Sequence, residues 1–218
     1  MPLPKSSRIP SFRWVLQGKL AASAMPLSVP DIADSGINVV VSLVPKKGIQ
    51  FRQSMSFRDK LKSLGISFTN IPVREHKPPT GKQFSSFLQI MALAEKNPNA
   101  RVLVHCDKGL GRTGTMIAGY LIAKKGYSLE AAYGEIRSGL LGVCQDTALA
   151  NPRLLSRLRE KGISISDFVE LNFHFPETIE QELFLKSIRP RRENQPILNR
   201  AEKARARILA RRIRKKPI

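Results

Sequence analysis

One ten-residue stretch, His105-Cys106-Asp107-Lys108-Gly109-Leu110-Gly111-Arg112-Thr113-Gly114, constrains this chain more than any other. Before it, Arg101-Val102-Leu103-Val104 is a short apolar and β-branched run that reads as a strand. After it, a helix predicted from Thr113 onward places Met116, Ile117, Tyr120 and Leu121 on one face. A buried strand therefore hands a cysteine to a helix N-terminus.

A loop wrapped over a helix N-terminus points successive backbone N–H groups inward, and the positive end of the helix dipole lies behind them. Asp107, Lys108, Gly109, Leu110, Gly111 and Arg112 would form such a phosphate cradle, with Gly109, Gly111 and Gly114 permitting its tight path. The same field favours the ionised, nucleophilic form of Cys106. Arg112 closes the loop, and its planar fork suits two oxygens of a phosphoryl group. The stretch is not a Walker A loop, which would end in Gly-Lys-Ser/Thr, and a dinucleotide fingerprint would carry neither the cysteine nor the arginine.

These residues resemble the signature loop of the cysteine-dependent protein tyrosine phosphatases. Phe12-Arg13-Trp14-Val15-Leu16, Gly111-Arg112-Thr113-Gly114-Thr115-Met116 and Glu177-Thr178-Ile179-Glu180-Gln181-Glu182 narrow the resemblance to the small atypical dual-specificity phosphatases. It covers residues 9–138 and 176–188. It implies an α/β, protein tyrosine phosphatase-like fold, a central mixed and mostly parallel sheet flanked by helices. It further implies Cys106 as nucleophile, Arg112 as phosphate clamp, a phosphocysteine intermediate, and no metal or organic cofactor.

By the same resemblance His105 hydrogen-bonds around the loop and helps hold Cys106 ionised; as a metal ligand it would lack company, since only His76 and His174 accompany it in the chain. Thr113 is either a helix N-cap or a hydroxyl that stabilises the departing thiolate. Gln181 matches a family glutamine that helps position the hydrolytic water; the alternative is a solvent-facing helix residue.

Such a phosphatase needs an acid to protonate the leaving oxygen, and the segment Ile71 to Thr80 is where it should lie. By the same resemblance the family usually carries an aspartate three positions before the proline that stands here as Pro78, where this chain has Glu75. Glutamate can do the same chemistry, but small misplacements of catalytic groups cost on the order of a hundredfold. Glu75 is the candidate acid, with His76 behind it; the other reading is a solvated charge in a loop whose acid function is weak or lost.

The remaining chain alternates helix and strand. Phe12 to Val15 reads as an edge strand, Asp31 to Ser35 as a short helix ending at Gly36, and Ile37 to Leu43 as a central strand. Phe57, Leu61 and Leu64 mark a helix closed by Gly65, Ile66 to Asn70 a strand, and Phe84, Phe87, Leu88 and Met91 the stripe of a helix from Gly81 to Lys96. The signature helix should stop at Gly126, and Ser128 should start another with Leu129, Ala132 and Ile136 facing inward. This alternation predicts an α/β layer fold with the loop at the carboxyl end of a strand.

Residues 1–11 read as a flexible arm, polar and interrupted by Pro2, Pro4 and Pro10, with no signal peptide. Residues 12–188 form the expected phosphatase domain. Within it, residues 139–175 leave the family pattern: an extra surface subdomain, a partner or substrate module, and a spliced or mispredicted segment that impairs folding are the open readings. No apolar run is long enough to span a membrane. Cys106 and Cys144 give no disulfide framework, and a working signature cysteine stays reduced, which points to cytoplasm, nucleus or both.

The tail, residues 189–218, holds twelve Lys or Arg and two Glu, half of the formal net charge of +20. Free in water it should be largely disordered. Besides solubility, nuclear import factors, nucleic-acid backbone and anionic lipid are the contacts its charge suits, and no interleaved aromatics favour base-specific recognition. The expected substrate is a phosphorylated protein carrying phosphotyrosine, phosphoserine or phosphothreonine. The alternatives are RNA 5′-triphosphates or phosphoinositides, and a catalytically weak phosphate-binding protein.

Overall fold

The computed structural model describes residues 9–26, 28–45, 49–149, 152–164, 167–168 and 175–189. Nearly all of the proposed arm and tail, with the side chain of Cys144 and the whole of His174, lie outside the described residues. The elements run β1 (Arg13–Leu16), β2 (Leu20–Ser23), α1 (Val29–Asp34), β3 (Val39–Ser42), α2 (Ile49–Ser63), β4 (Ser67–Asn70), α3 (Gly81–Lys96) and β5 (Val102–His105). Then come α4 (Gly111–Lys125), α5 (Leu129–Leu149), α6 (Pro152–Glu160) and α7 (Ile179–Ser187).

The five strands form one sheet in the order β1-β2-β5-β3-β4, with β1 antiparallel to β2 and every other pairing parallel. β5 is the middle strand, and Ser23 and Ser42 flank His105 in register on either side. Its side chains alternate as a two-sided strand must: Val102 and Val104 enter one core, Leu103 the other. The first core lies under α3, α4, α5 and α7; the second lies under α1 and α2. Burying a side chain such as Phe87, wholly enclosed here, is worth about 1.5–3 kcal/mol.

β2 is a strand the sequence pattern does not announce. Leu20-Ala21-Ala22-Ser23 carries two alanines and no alternation, yet all four residues are buried between β1 and β5. Sheet context overrides the weak local preference of alanine. Leu64 differs from expectation in the other direction: α2 buries Phe57 and Leu61 and stops at Ser63, so Leu64 falls in the turn and is 53% exposed.

α4 also departs from its predicted form. It starts at Gly111, not Thr113, and every residue from Gly111 to Ala123 is buried, not only one face. Small residues make that possible. A Cβ on Gly114 would meet the Phe175 ring at 2.5 Å, and one on Gly119 the Phe84 ring at 2.9 Å. The helix ends where Gly126 turns left-handed, at φ 72°, as expected.

α5 buries Ala132 and Ile136 and continues without a break past Gly139 to Leu149. α6 packs back on it and buries Leu158. The chain turns at Gly162, whose φ is 63°.

Candidate active site

The carboxyl end of β5 delivers Cys106, 2% exposed, into the turn before α4. The backbone N–H of Gly109 donates to Cys106 Sγ at 3.2 Å. Leu110 occupies the N-cap position without any side-chain cap, so the first amides of α4 have no capping side chain to bond. Arg112, 6% exposed, borders the same cavity as Cys106, Lys108, Leu110 and Gly111.

Three anchors fix this loop from outside. Met25 N–H donates to the Asp107 carbonyl at 2.9 Å, tying the loop to the segment after β2. Arg13, 6% exposed, donates from Nη2 to the Gly109 carbonyl at 2.9 Å. Gly109 takes φ 74°, and a Cβ there would lie 2.4 Å from the Ser23 carbonyl oxygen, so the position admits only glycine without rearrangement. Arg13 was legible in the sequence only as part of an edge strand, not as a support of the loop.

His105 is completely buried and its Nδ1 lies 3.2 Å from the Cys106 carbonyl oxygen. Burial lowers its pKa to about 4, the nearby Arg112 charge adds to that, and the bond to Cys106 partly opposes it. The imidazole is therefore neutral at pH 7, so its expected help to an ionised Cys106 cannot be positive charge. What remains is the hydrogen bond to the carbonyl, donated from a protonated Nδ1.

Thr113 is the third residue of α4, so its reading as an N-cap fails; its wholly buried hydroxyl makes no hydrogen bond among the described residues. Lys108 is exposed and Asp107 half-buried.

Glu75 and His76 stand on the loop between β4 and α3, at the mouth of the cavity. Their side chains are 58% and 64% exposed, with His76 Nε2 3.9 Å from Glu75 Oε1. The loop is held at both ends. Val73 N–H donates to the Leu43 carbonyl at 3.1 Å, and Gln83 Nε2 donates to the Pro72 carbonyl. Thr80 and Gln83 close a reciprocal capping box at the start of α3. At the tip His76 takes φ 55°, a left-handed conformation uncommon for a residue with a side chain. Lys77 Nζ meets Glu180 Oε1 at 2.6 Å, which ties the tip to α7.

The segment before α7 supplies a residue that sequence reasoning passed over. Glu177 borders the same cavity as Glu75, and its Oε2 lies 1.7 Å from where a Cβ on Gly111 would stand. The carboxylate thus rests on the first residue of α4. Gln181, wholly buried, accepts from the Glu177 N–H through Oε1 at 3.0 Å, and Thr178 caps the helix through its hydroxyl. Gln181 is not a solvent-facing residue. The signal in the sequence was Pro176-Glu177-Thr178, which marks a helix start but not where that start is aimed.

Together these side chains leave a cavity of about 20 Å³, room for roughly one water molecule. Among the described residues no group of three or more His, Cys, Asp or Glu gathers to hold a metal ion, and no helix is long and apolar enough to cross a membrane.

A cysteine held by an amide beside an uncapped helix N-terminus, with a buried arginine lining the same cavity, is the arrangement of a cysteine-based phosphatase. Residues 9–160 match the family model described as the Swiss Army Knife protein DSP-PTPase phosphatase domain, and the chain belongs to that family. Among solved structures it is similar to Tk-PTP in its active form, with TM-score 0.54, 23% identity, and coverage of 82% of this chain and 96% of that one. It is similar also to PTPMT1, with TM-score 0.52, 16% identity, and coverage of 94% and 99%. Both likenesses bear on the fold. In sequence it is 31% identical over 101 residues to the mRNA-capping enzyme of Danio rerio, covering 44% of this chain and 17% of that protein. The chain spans less than a fifth of the length of the curated relatives it matches.

Proposed function

We propose that this phosphatase hydrolyses phosphotyrosine and phosphoserine or phosphothreonine in proteins through a phosphocysteine intermediate. The observation that carries the reading is the placement of the Cys106 sulfur, 3.2 Å from the Gly109 N–H, in one cavity with Arg112. Cys106 attacks phosphorus in line and the ester oxygen leaves; Glu75, with His76 behind it, gives that oxygen its proton. Arg112 and the amides from Asp107 to Arg112 stabilise the equatorial oxygens. The Thr113 hydroxyl and the Gly109 amide stabilise the thiolate when water releases phosphate. Gln181 serves this step by holding the chain at the cavity. Phe12-Arg13-Trp14-Val15-Leu16 and Glu177-Thr178-Ile179-Glu180-Gln181-Glu182 resemble dual-specificity phosphatase twenty-three, which supports the protein-phosphatase reading. Cytoplasm and nucleus are the proposed locations.

A second reading, an RNA 5′-triphosphatase, is favoured by the similarity to mRNA-capping enzymes and by the net charge of +20. Hydrolysis of a small aryl phosphate, beside Cys106→Ser and Glu75→Gln, tests the chemistry. Turnover abolished by the first change and lowered roughly 10²–10⁴-fold by the second supports both assignments. Phosphotyrosine and phosphoserine peptides set against RNA 5′-triphosphate and a phosphoinositide decide the substrate class. A folded wild type with no turnover above Cys106→Ser leaves a phosphate-binding protein.

A further inference from the structure

A second cavity, of about 520 Å³, lies between the segment after β2 and helices α1 and α2. Met25, Val29, Pro30 and Phe57 give it apolar walls, and Ser56 and Lys60, both exposed, stand at its rim. Val29 and Phe57 also belong to the second core, so the cavity reaches down to that core. β2 and β5 are parallel and in register, Ser23 beside His105, so the segments that leave them emerge at one edge of the sheet. There the Met25 N–H donates to the Asp107 carbonyl at 2.9 Å, which makes Met25 a wall of this cavity and a neighbour of the catalytic loop at once. α4 covers one face of the sheet and α1 and α2 the other. A chain laid across this edge therefore meets both cavities.

We propose that this cavity binds the substrate protein beside its phosphorylated residue, taking one large apolar side chain against Met25, Val29, Pro30 and Phe57 and an acidic neighbour at Lys60. The inference rests on the protein-phosphatase reading above. A volume of this size is that of a ligand pocket, not of a packing defect. The catalytic cavity, about 20 Å³, offers almost no surface to a flanking residue, so the grip on such residues falls to a neighbouring site. Lys60 makes no ion pair among the described residues, which leaves its charge for the substrate. An RNA strand suits the cavity poorly. Its described lining includes one cation, and Phe57 is almost wholly buried, so no aromatic face lies open for a base to stack on. Contacts this far from the reacting phosphorus are the same in ground state and transition state, so they lower KM and leave kcat alone.

Steady-state kinetics on the full chain test it. The substrates are p-nitrophenyl phosphate, a phosphotyrosine peptide flanked only by Gly and Ser, and the same peptide with a Leu-Glu pair moved through each flanking position. One position of the pair should lower KM on the order of tenfold with kcat unchanged. Ser56→Trp, which puts an indole into the cavity from its rim, should remove that gain. Lys60→Glu should reduce it and accept Leu-Lys in place of Leu-Glu. Neither residue lines the catalytic cavity, so both variants should turn over p-nitrophenyl phosphate and the Gly-Ser peptide as wild type does, with unchanged circular dichroism. A flat scan with turnover throughout overturns the proposal, as does a gain that Ser56→Trp keeps at full size. If the chain turns over p-nitrophenyl phosphate and RNA 5′-triphosphate but no peptide, the protein-phosphatase reading falls and the cavity proposal with it. A raised KM for that RNA in Lys60→Glu would then assign the cavity to RNA.

Discussion

The Arg13 guanidinium donates to the carbonyl of Gly109 at 2.9 Å across 96 positions of sequence. The bond fixes one peptide of the loop between Cys106 and Arg112, and another Nη reaches the Ser11 carbonyl at 3.2 Å. Arg13→Met should leave a buried carbonyl without its charged donor, at a cost of about 1.5–3 kcal/mol. Urea denaturation should register that loss. Turnover of an aryl phosphate should fall further than stability accounts for, because the cradle loses its shape.

Gly109→Ala brings a Cβ to 2.4 Å from the Ser23 carbonyl oxygen at a backbone φ of 74°. Left-handed strain for a residue with a side chain costs about 1–3 kcal/mol. The loop must shift off β2, so vanadate affinity should drop with turnover while far-ultraviolet circular dichroism stays unchanged. An unaltered vanadate affinity would show that the cradle tolerates the displacement.

His105 ties stability to pH. Its folded pKa, about 4, is below the ordinary 6.5 chiefly because of burial. The unfolded chain therefore binds the extra proton first as pH falls. The contribution of the neutral imidazole is complete above about 6.5 and is lost as pH drops through 6.5 toward 4, by roughly 3 kcal/mol. Denaturation at pH 4.5, 5.5, 6.5 and 7.5 should show that slope, and His105→Asn should flatten it.

Lys77 and Glu180 join the loop that carries Glu75 to α7 in solvent, each about half exposed. Pairs of this kind add little to stability, so Glu180→Gln should leave the melting temperature unchanged. Loosening the loop that carries Glu75 should instead lower kcat a few-fold, since proton transfer depends on placement. In wild type, added salt should reproduce part of that decrease by screening the pair.

Legibility followed sequence distance. The strand, loop and helix around Cys106 lie within some two dozen consecutive residues, so periodicity and glycine placement carried their structure and chemistry together. Thr80 and Gln83, whose capping box starts α3, show the same locality. Leu20 to Ser23 stayed hidden because a strand of small residues declares itself only through its neighbours. Arg13, Glu177 and Gln181 reach the site from opposite ends of the domain, and composition alone does not say that an edge strand and a late helix start converge on one loop. The full enclosure of α4 was likewise unreadable, since Gly, Ala and Thr carry no stripe. They fit any face that other elements approach closely.

That enclosure divides the molecule into a part closed to variation and a part open to it. Arg112 stands on a rod with no free side from Gly111 to Ala123, so a change of volume there has nowhere to relax. The rim at Glu75, His76 and Glu177 borders solvent and consists of loop and helix-start residues. A lineage, or an engineer, that needs a new leaving group or a wider entrance can rewrite those short segments while the rod and its arginine stay as they are.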